Sequence, residues 1–171
     1  ERAIKKASEK STDNFKEILL EGYAPHGIAI LVEAATDNNN RTVANIRSYF
    51  NKCEGNLATL GSVDFLFNHL CFFQIKNAGI DNEKLELDLI DFGVVDFNSQ
   101  DDEINITANF EDFGSLQKEI ERRGLDIISS EFEREAINVK SIKEDQKIIV
   151  YKLINLIDED DDVQNVYHDM G

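Results

Sequence analysis

Cysteine is scarce in this chain. Cys53 and Cys71 are the only two among 171 residues. They make neither a disulfide framework nor a metal-knuckle pattern, so reduced, mostly buried thiols are expected. Long apolar runs are also missing. None approaches the roughly 20 residues that a membrane-spanning helix needs, and no basic-then-apolar leader is present. The three histidines, His26, His69 and His168, show no short metal-ligand spacing. No Gly-x-Ser-x-Gly elbow surrounds Ser62 or Ser115. No phosphate-cradling Gly-x-x-x-x-Gly-Lys occurs, and Gly22 to Gly27 has the wrong spacing for a dinucleotide loop. The expectation is therefore a protein that is not an enzyme, with no cofactor, no metal, no membrane contact and no small-molecule substrate.

Positive charge is in short supply too. Eighteen Lys and Arg stand against 34 Asp and Glu, a formal net charge of -16. Affinity for nucleic acid comes mainly from cations that neutralise phosphates, so this body by itself disfavours duplex binding. Screening confines the repulsion to roughly 8–10 Å at physiological salt. A basic partner, or a basic segment beyond the chain, is compatible with it. The most basic short stretch carries Arg2, Lys5, Lys6 and Lys10. Glu1 to Ala7 reads as the tail of a helix that begins earlier, so the chain is expected to be a fragment. The expected compartment is the cytoplasm, or the mitochondrial matrix for a eukaryotic source.

What is present is strong periodicity. Residues 1–13 read as a helical remnant and linker. Asn14 to Tyr23 alternates imperfectly as a strand. Pro25, the only proline, sits in the turn Gly22 to Gly27, fixing its own φ and holding Ala24 extended. Ile28 to Ala35 is almost wholly apolar, which predicts a strand covered on both faces. Asp37 to Asn40 are helix-starting residues. A helix from Arg41 to Lys52 should bury Val43, Ile46 and Phe50, and Glu54-Gly55-Asn56 stops it. Val63, Phe65 and Phe67 alternate as a further strand.

At about Leu70 the pattern restarts. Leu70 to Lys76 reads as a strand, and Asn82 caps a helix with Leu85, Leu89 and Phe92 inward. Val94 to Phe97 and Ile104 to Ala108 read as paired strands. Asp112 caps a helix burying Phe113, Leu116 and Ile120, and Asp126 to Ala136 is the closing strand. This β-α-β-β-α-β order is the ferredoxin-like arrangement. Then Ser141-Ile142-Lys143-Glu144 forms a capping-box pattern. It opens a helix with Gln146, Val150, Leu153, Ile154 and Ile157 on one face. The acidic run Asp158 to Asp162 and a strand Val163 to His168 follow. A lone helix and strand cannot bury their own apolar faces, so this tail should return to the first strands. The expected fold class is α+β, with a ferredoxin-like domain over 70–140 inserted into a discontinuous α+β domain of 14–69 plus 141–171.

Two polar stretches are candidates for contact. Thr36-Asp37-Asn38-Asn39-Asn40-Arg41-Thr42 is more polar than a helix cap requires, although capping and a tight turn would account for much of it. Asn38, Asn40 and Arg41 can bond phosphate, RNA edges or protein backbone. Tyr23 and His26, on the preceding loop, are placed to share that side, and Lys5 and Lys6 supply cations. The acidic run fails as an EF-hand loop started at Asp158, having Val163 where glycine belongs and Asp169 where glutamate belongs. It reads as a solvated turn, or as a landing point for a basic partner.

At these residues the sequence resembles the YebC/PmpR family. The matching stretches are Glu21 to Gly27, Thr36 to Thr42, Glu54 to Val63 and Asp161 to His168, and Glu1 to Lys6 resembles the end of the family's first domain. It departs at Ala24, His26, Glu54 and Ala58, where the family usually has glycine. The resemblance implies a basic three-helix first domain, largely absent here, an α+β second domain and a ferredoxin-like third domain inserted into it. It implies a DNA-binding transcriptional regulator. Other family members act as ribosome-associated translation activators, so rRNA or ribosomal protein is the alternative target. A third reading is an acidic protein-interaction module.

Overall fold

The computed structural model describes residues 15–171. Lys5, Lys6 and the expected helical remnant lie outside the described residues. The chain divides into two compact units, one running up to Phe67 and resuming at Ala136–Gly171, the other Asn68–Glu135. The return of the tail thus falls a few residues earlier than the 14–69 and 141–171 limits drawn from composition.

The first unit holds a four-stranded sheet in the order β3-β1-β2-β8. Its strands are β1 (Lys16–Tyr23), β2 (Ala29–Thr36), β3 (Asn56–Ala58) and β8 (Val163–His168). Every neighbouring pair is antiparallel. Helix α1 (Asn39–Lys52) lies between β2 and β3, and helix α4 (Glu144–Asp158) precedes β8. The apolar run of β2 has the predicted consequence, since seven of its eight residues are buried. Ile30 and Val32 face the helices, packing with Ile46 and Phe50 of α1 and with Val150, Leu153 and Ile157 of α4. Ala29 and Leu31 face the other way, against Val63 and Phe67. Full burial of a side chain the size of Phe50 contributes about 1.5–3 kcal/mol. Gly22 makes the close approach possible. A Cβ there would stand 2.6 Å from the Asn56 carbonyl oxygen and 2.7 Å from the Phe50 ring.

The second unit is a four-stranded sheet ordered β5-β6-β4-β7. It is built from β4 (Phe67–Lys76), β5 (Val94–Gln100), β6 (Glu103–Asn109) and β7 (Ile127–Ala136). Helices α2 (Asn82–Leu89) and α3 (Phe113–Arg122) cover one face. Cys71, Phe73 and Ile75 of β4 and Ile104, Ile106 and Ala108 of β6 bury against Leu85, Leu89, Leu116 and Ile120. The order of elements and of strands is the ferredoxin-like one.

Several local expectations are corrected. Val63, Phe65 and Phe67 do not form one strand. Asp64–Leu66 is a 3-10 turn, Phe65 is 65% exposed, and β4 begins only at Phe67. The reason is that the N–H groups of Val63 and Asp64 are taken by a side chain and cannot join a ladder. The short strand β3 was hidden in Asn56–Ala58. The buried stripe of α1 is Thr42, Ile46 and Phe50, and Val43 is only half-buried. Asp81, not Asn82, caps α2, its carboxylate accepting from the Lys84 N–H. Asp112 makes no capping bond, because a 3-10 turn over Phe110–Asp112 leads directly into α3. Helix α4 starts after Lys143, whose N–H donates to Gln146 Oε1 at 3.0 Å, so Ser141 is not its cap.

Candidate functional site

The candidate residues fall at opposite ends of β2. Tyr23 pairs with Ala29 at the hairpin end, and Lys16 pairs with Thr36 at the far end. Seven steps of ~3.3 Å along β2 put about 23 Å between the two groups. Tyr23 and His26 therefore do not share a side with Asn38, Asn40 and Arg41.

At the hairpin end, the Ala24 N–H donates to the Ile28 carbonyl at 2.8 Å and closes the loop. Inside it, His26 (φ 68°) and Gly27 (φ 77°) are both left-handed, and His26 is exposed at the tip. The Lys140 ammonium donates to the Gly27 carbonyl at 2.8 Å. Glu54 is left-handed as well, at φ 61°, whereas Ala24 is extended. Two of the four departures from glycine thus carry a conformation that costs an L-residue roughly 1–2 kcal/mol. Tyr23 is half-buried beside Leu31 and Val63, its hydroxyl 3.5 Å from the Ser62 carbonyl.

The 59–66 segment beside it leans on a residue the sequence reading did not single out. Glu21 is 1% exposed. Its Oε1 accepts from the N–H groups of Val63 and Asp64, both at 2.8 Å, and its Oε2 from Gly61 at 2.7 Å. The 59–66 segment is wrapped around one carboxylate. The available signal was its place in a strand paired with the largely apolar β2, where Glu21 stands opposite Leu31.

At the far end, Thr36 to Thr42 is a knot. Asn38 caps α1, its side chain accepting from the Arg41 N–H at 3.1 Å, while its own N–H donates to Thr36 Oγ1 at 3.0 Å. Thr36 and Thr42 hydroxyls lie 2.7 Å apart, and Thr42 Oγ1 is 2.7 Å from Asp162 Oδ2. A hydroxyl has one proton, so Thr42 gives its own to the carboxylate and receives that of Thr36. Arg41 reaches Asp162 at 3.1 Å and Asp37 at 3.2 Å. The hydrogen bond and charge of Asp162 raise its guanidinium above the ordinary value. Its charge is matched from within the chain. Asn40 is exposed on the first turn of α1.

The acidic run is more ordered than a solvated turn. Asp162 is buried, and Asp160 accepts from the Tyr49 hydroxyl at 2.7 Å and from the Asp162 N–H at 2.9 Å. Burial, then the bond to Asp160, pushes the Tyr49 hydroxyl up to about 12. Phe15, Asp37, Arg41, Asn45 and Tyr49 line an open groove of ≈ 570 Å³ with residues 159–162. Among the described residues, no group of three or more His, Cys, Asp or Glu is placed to hold a metal ion. No helix among them is long and apolar enough to cross a membrane.

Fold and site together define a two-unit α+β protein in which a carboxylate and a polar knot fix the loops at either end of a buried strand. A sequence model of the family described as "TACO1/YebC second and third domain" matches residues 15–170, and the chain belongs to this family. It is 62% identical over 170 residues to a Flavobacterium johnsoniae protein named "Probable transcriptional regulatory protein", covering 99% of this chain and 72% of that one. A Porphyromonas gingivalis protein of the same name is 50% identical, with 99% and 71% covered. Among solved structures, a conserved hypothetical protein from Aquifex aeolicus superposes with a TM-score of 0.67 at 32% identity, covering 99% of this chain and 71% of that one.

Proposed function

We propose that this protein is a non-enzymatic, DNA-binding regulator of gene expression acting in the cytoplasm, and that its two units are the family's second and third domains. The observation that carries the reading is the 62% identity, across nearly the whole chain, to a protein named as a probable transcriptional regulator. The charge adds a condition. A body of net charge -16 repels phosphate. The grip on nucleic acid is therefore assigned to a basic segment such as the part of the longer relative that this chain does not match. Lys5 and Lys6 would extend that grip. The test titrates a labelled DNA duplex with the Flavobacterium johnsoniae protein and with the 171-residue chain at several salt concentrations. The longer protein should bind with a steep salt dependence, and the chain at least about tenfold more weakly. Equal affinity would overturn the division of labour.

The same acidity favours a second reading, a ribosome-associated translation factor, because a basic, protein-rich partner complements it. The contacts would be Tyr23 and His26 at one end of β2, or Asn38, Asn40 and Arg41 at the other. Co-sedimentation with ribosomes tests it, and retention of promoter DNA without ribosomes rejects it.

A further inference from the structure

The second unit has one face of its sheet under helices and the other bare within the unit. Alternation decides which side chains stand there. Phe73 stacks on Phe113 of α3, with centroids 5.1 Å apart, so its neighbours Phe72 and Gln74 point the opposite way. Phe132 of β7 packs edge-on to Phe113, so Glu131 and Glu133 share the side of Phe72. Phe72, Gln74, Asn105, Ser129, Glu131 and Glu133 line an open depression of ≈ 360 Å³. Its floor is fixed. Gln74 donates to Glu103 and accepts from the Ser129 hydroxyl at 3.3 Å.

The charge of this face is one-sided. Asp96 and Glu103 are register partners of Thr107 and Lys76 on the same side, and with Glu131 and Glu133 they set at least four carboxylates against the ammonium of Lys76. Ferredoxin-like sheets offer a flat face on which a strand of RNA could lie, but four carboxylates repel its phosphates. A half-buried aromatic ring beside paired carboxylates suits a different group. A guanidinium can stack on the ring while its N–H fork bonds a carboxylate.

We propose that this bare sheet face is a docking surface for an extended, arginine-bearing segment of a partner protein, one guanidinium lying over Phe72 and paired with Glu131 and Glu133. The assignment rests on the face alone and is independent of the regulatory reading above. Arginine is favoured over lysine because an ammonium lacks the planar fork and stacks less well.

The test uses the 171-residue chain and three labelled probes in fluorescence anisotropy: a nonapeptide alternating arginine and glycine, its lysine counterpart, and a mixed-sequence single-stranded RNA of equal length. The arginine peptide should bind several-fold more tightly than the lysine peptide, and the RNA should not bind. The double variant Glu131→Gln/Glu133→Gln should weaken the arginine peptide about tenfold, and Phe72→Leu about threefold. Neutralising two exposed carboxylates of α2, with Glu83→Gln/Glu86→Gln, should change it less than twofold. Equal affinity for the two peptides, equal losses from the two double variants, or tighter binding of the RNA would each overturn the proposal.

Discussion

Replacing Glu21 by glutamine tests whether one buried carboxylate organises the 59–66 loop. The variant keeps the side chain's shape and one good acceptor. With its oxygen toward Val63 and Asp64, its amide NH2 is left facing the Gly61 N–H, donor against donor, where the parent has a 2.7 Å hydrogen bond. Losing a bond to a charged acceptor costs about 1.5–3 kcal/mol, and turning the other two from charged to neutral costs ~0.5 kcal/mol each. The sum is about 2.5–4 kcal/mol, drawn from the first unit. For a unit of this size each kcal/mol moves the melting point by about 4–8 °C, so its transition should fall by roughly 10–30 °C. The readouts are thermal unfolding and hydrogen exchange of a peptide spanning residues 59–66, which carries Leu60 at 75% and Phe65 at 65% exposure. The amides of Gly61, Val63 and Asp64 should lose protection first. A variant that melts within about 2 °C of the parent, with parental exchange at those amides, would refute the reasoning.

Other substitutions separate internal ties from display. Asp162→Ala removes the acceptor of both Arg41 and Thr42 and should cost about 2–3 kcal/mol, whereas Arg41→Ala, losing a half-exposed ion pair, should cost under ~1 kcal/mol by urea denaturation. His26→Gly and Glu54→Gly relieve left-handed backbone and should each raise stability by about 0.5–1 kcal/mol in the same assay. Hydrogen bonds from Arg122 and Arg123 hold Glu119 at about 2, so its stabilising effect is complete above the ordinary carboxylate range and is lost as pH falls through about 2. Melting curves of the parent and of Glu119→Gln should therefore converge between about pH 4.5 and 2. Tyr49 should ionise near 12 in an ultraviolet titration, and the Tyr49→Phe variant should lack that step.

The elements with strong period were legible in the sequence. The largely apolar β2, the stripe Ile46 and Phe50, and the alternation Ile104, Ile106, Ala108 each bury as their spacing requires, because burial follows directly from side-chain direction. What escaped was decided by backbone groups. Val63, Phe65 and Phe67 alternate like a strand, yet a carboxylate about forty residues earlier takes the N–H groups a ladder would use. No local pattern encodes that partner. Cap positions slipped for a related reason. Asp81-Asn82 offers two plausible caps and the first is used, while α4 starts after Lys143, two residues beyond Ser141, with no side-chain cap. Legibility of the candidate site was poorer. The motif residues were found, but their partners Asp160 and Asp162 stand more than a hundred residues away.

That distance changes what a binding experiment on the knot can mean. Arg41 is the obvious residue to mutate, being the one cation among the described residues that line the 570 Å³ groove. Yet Arg41 ties α1 to Asp162, and Asp162 precedes the first residue of β8. Loss of ribosome or DNA association in Arg41→Ala could therefore report a loosened β8 turn instead of a lost contact. Asn40 has no such ambiguity. Its side chain is exposed on the first turn of α1 and takes no part in the Thr36–Asp162 network. If the far end of β2 is a contact surface, Asn40→Ala should weaken association severalfold while leaving the melting curve unchanged. If association falls only in Arg41→Ala and Asp162→Ala, in step with their stability, the knot is a fastening and the contact lies elsewhere.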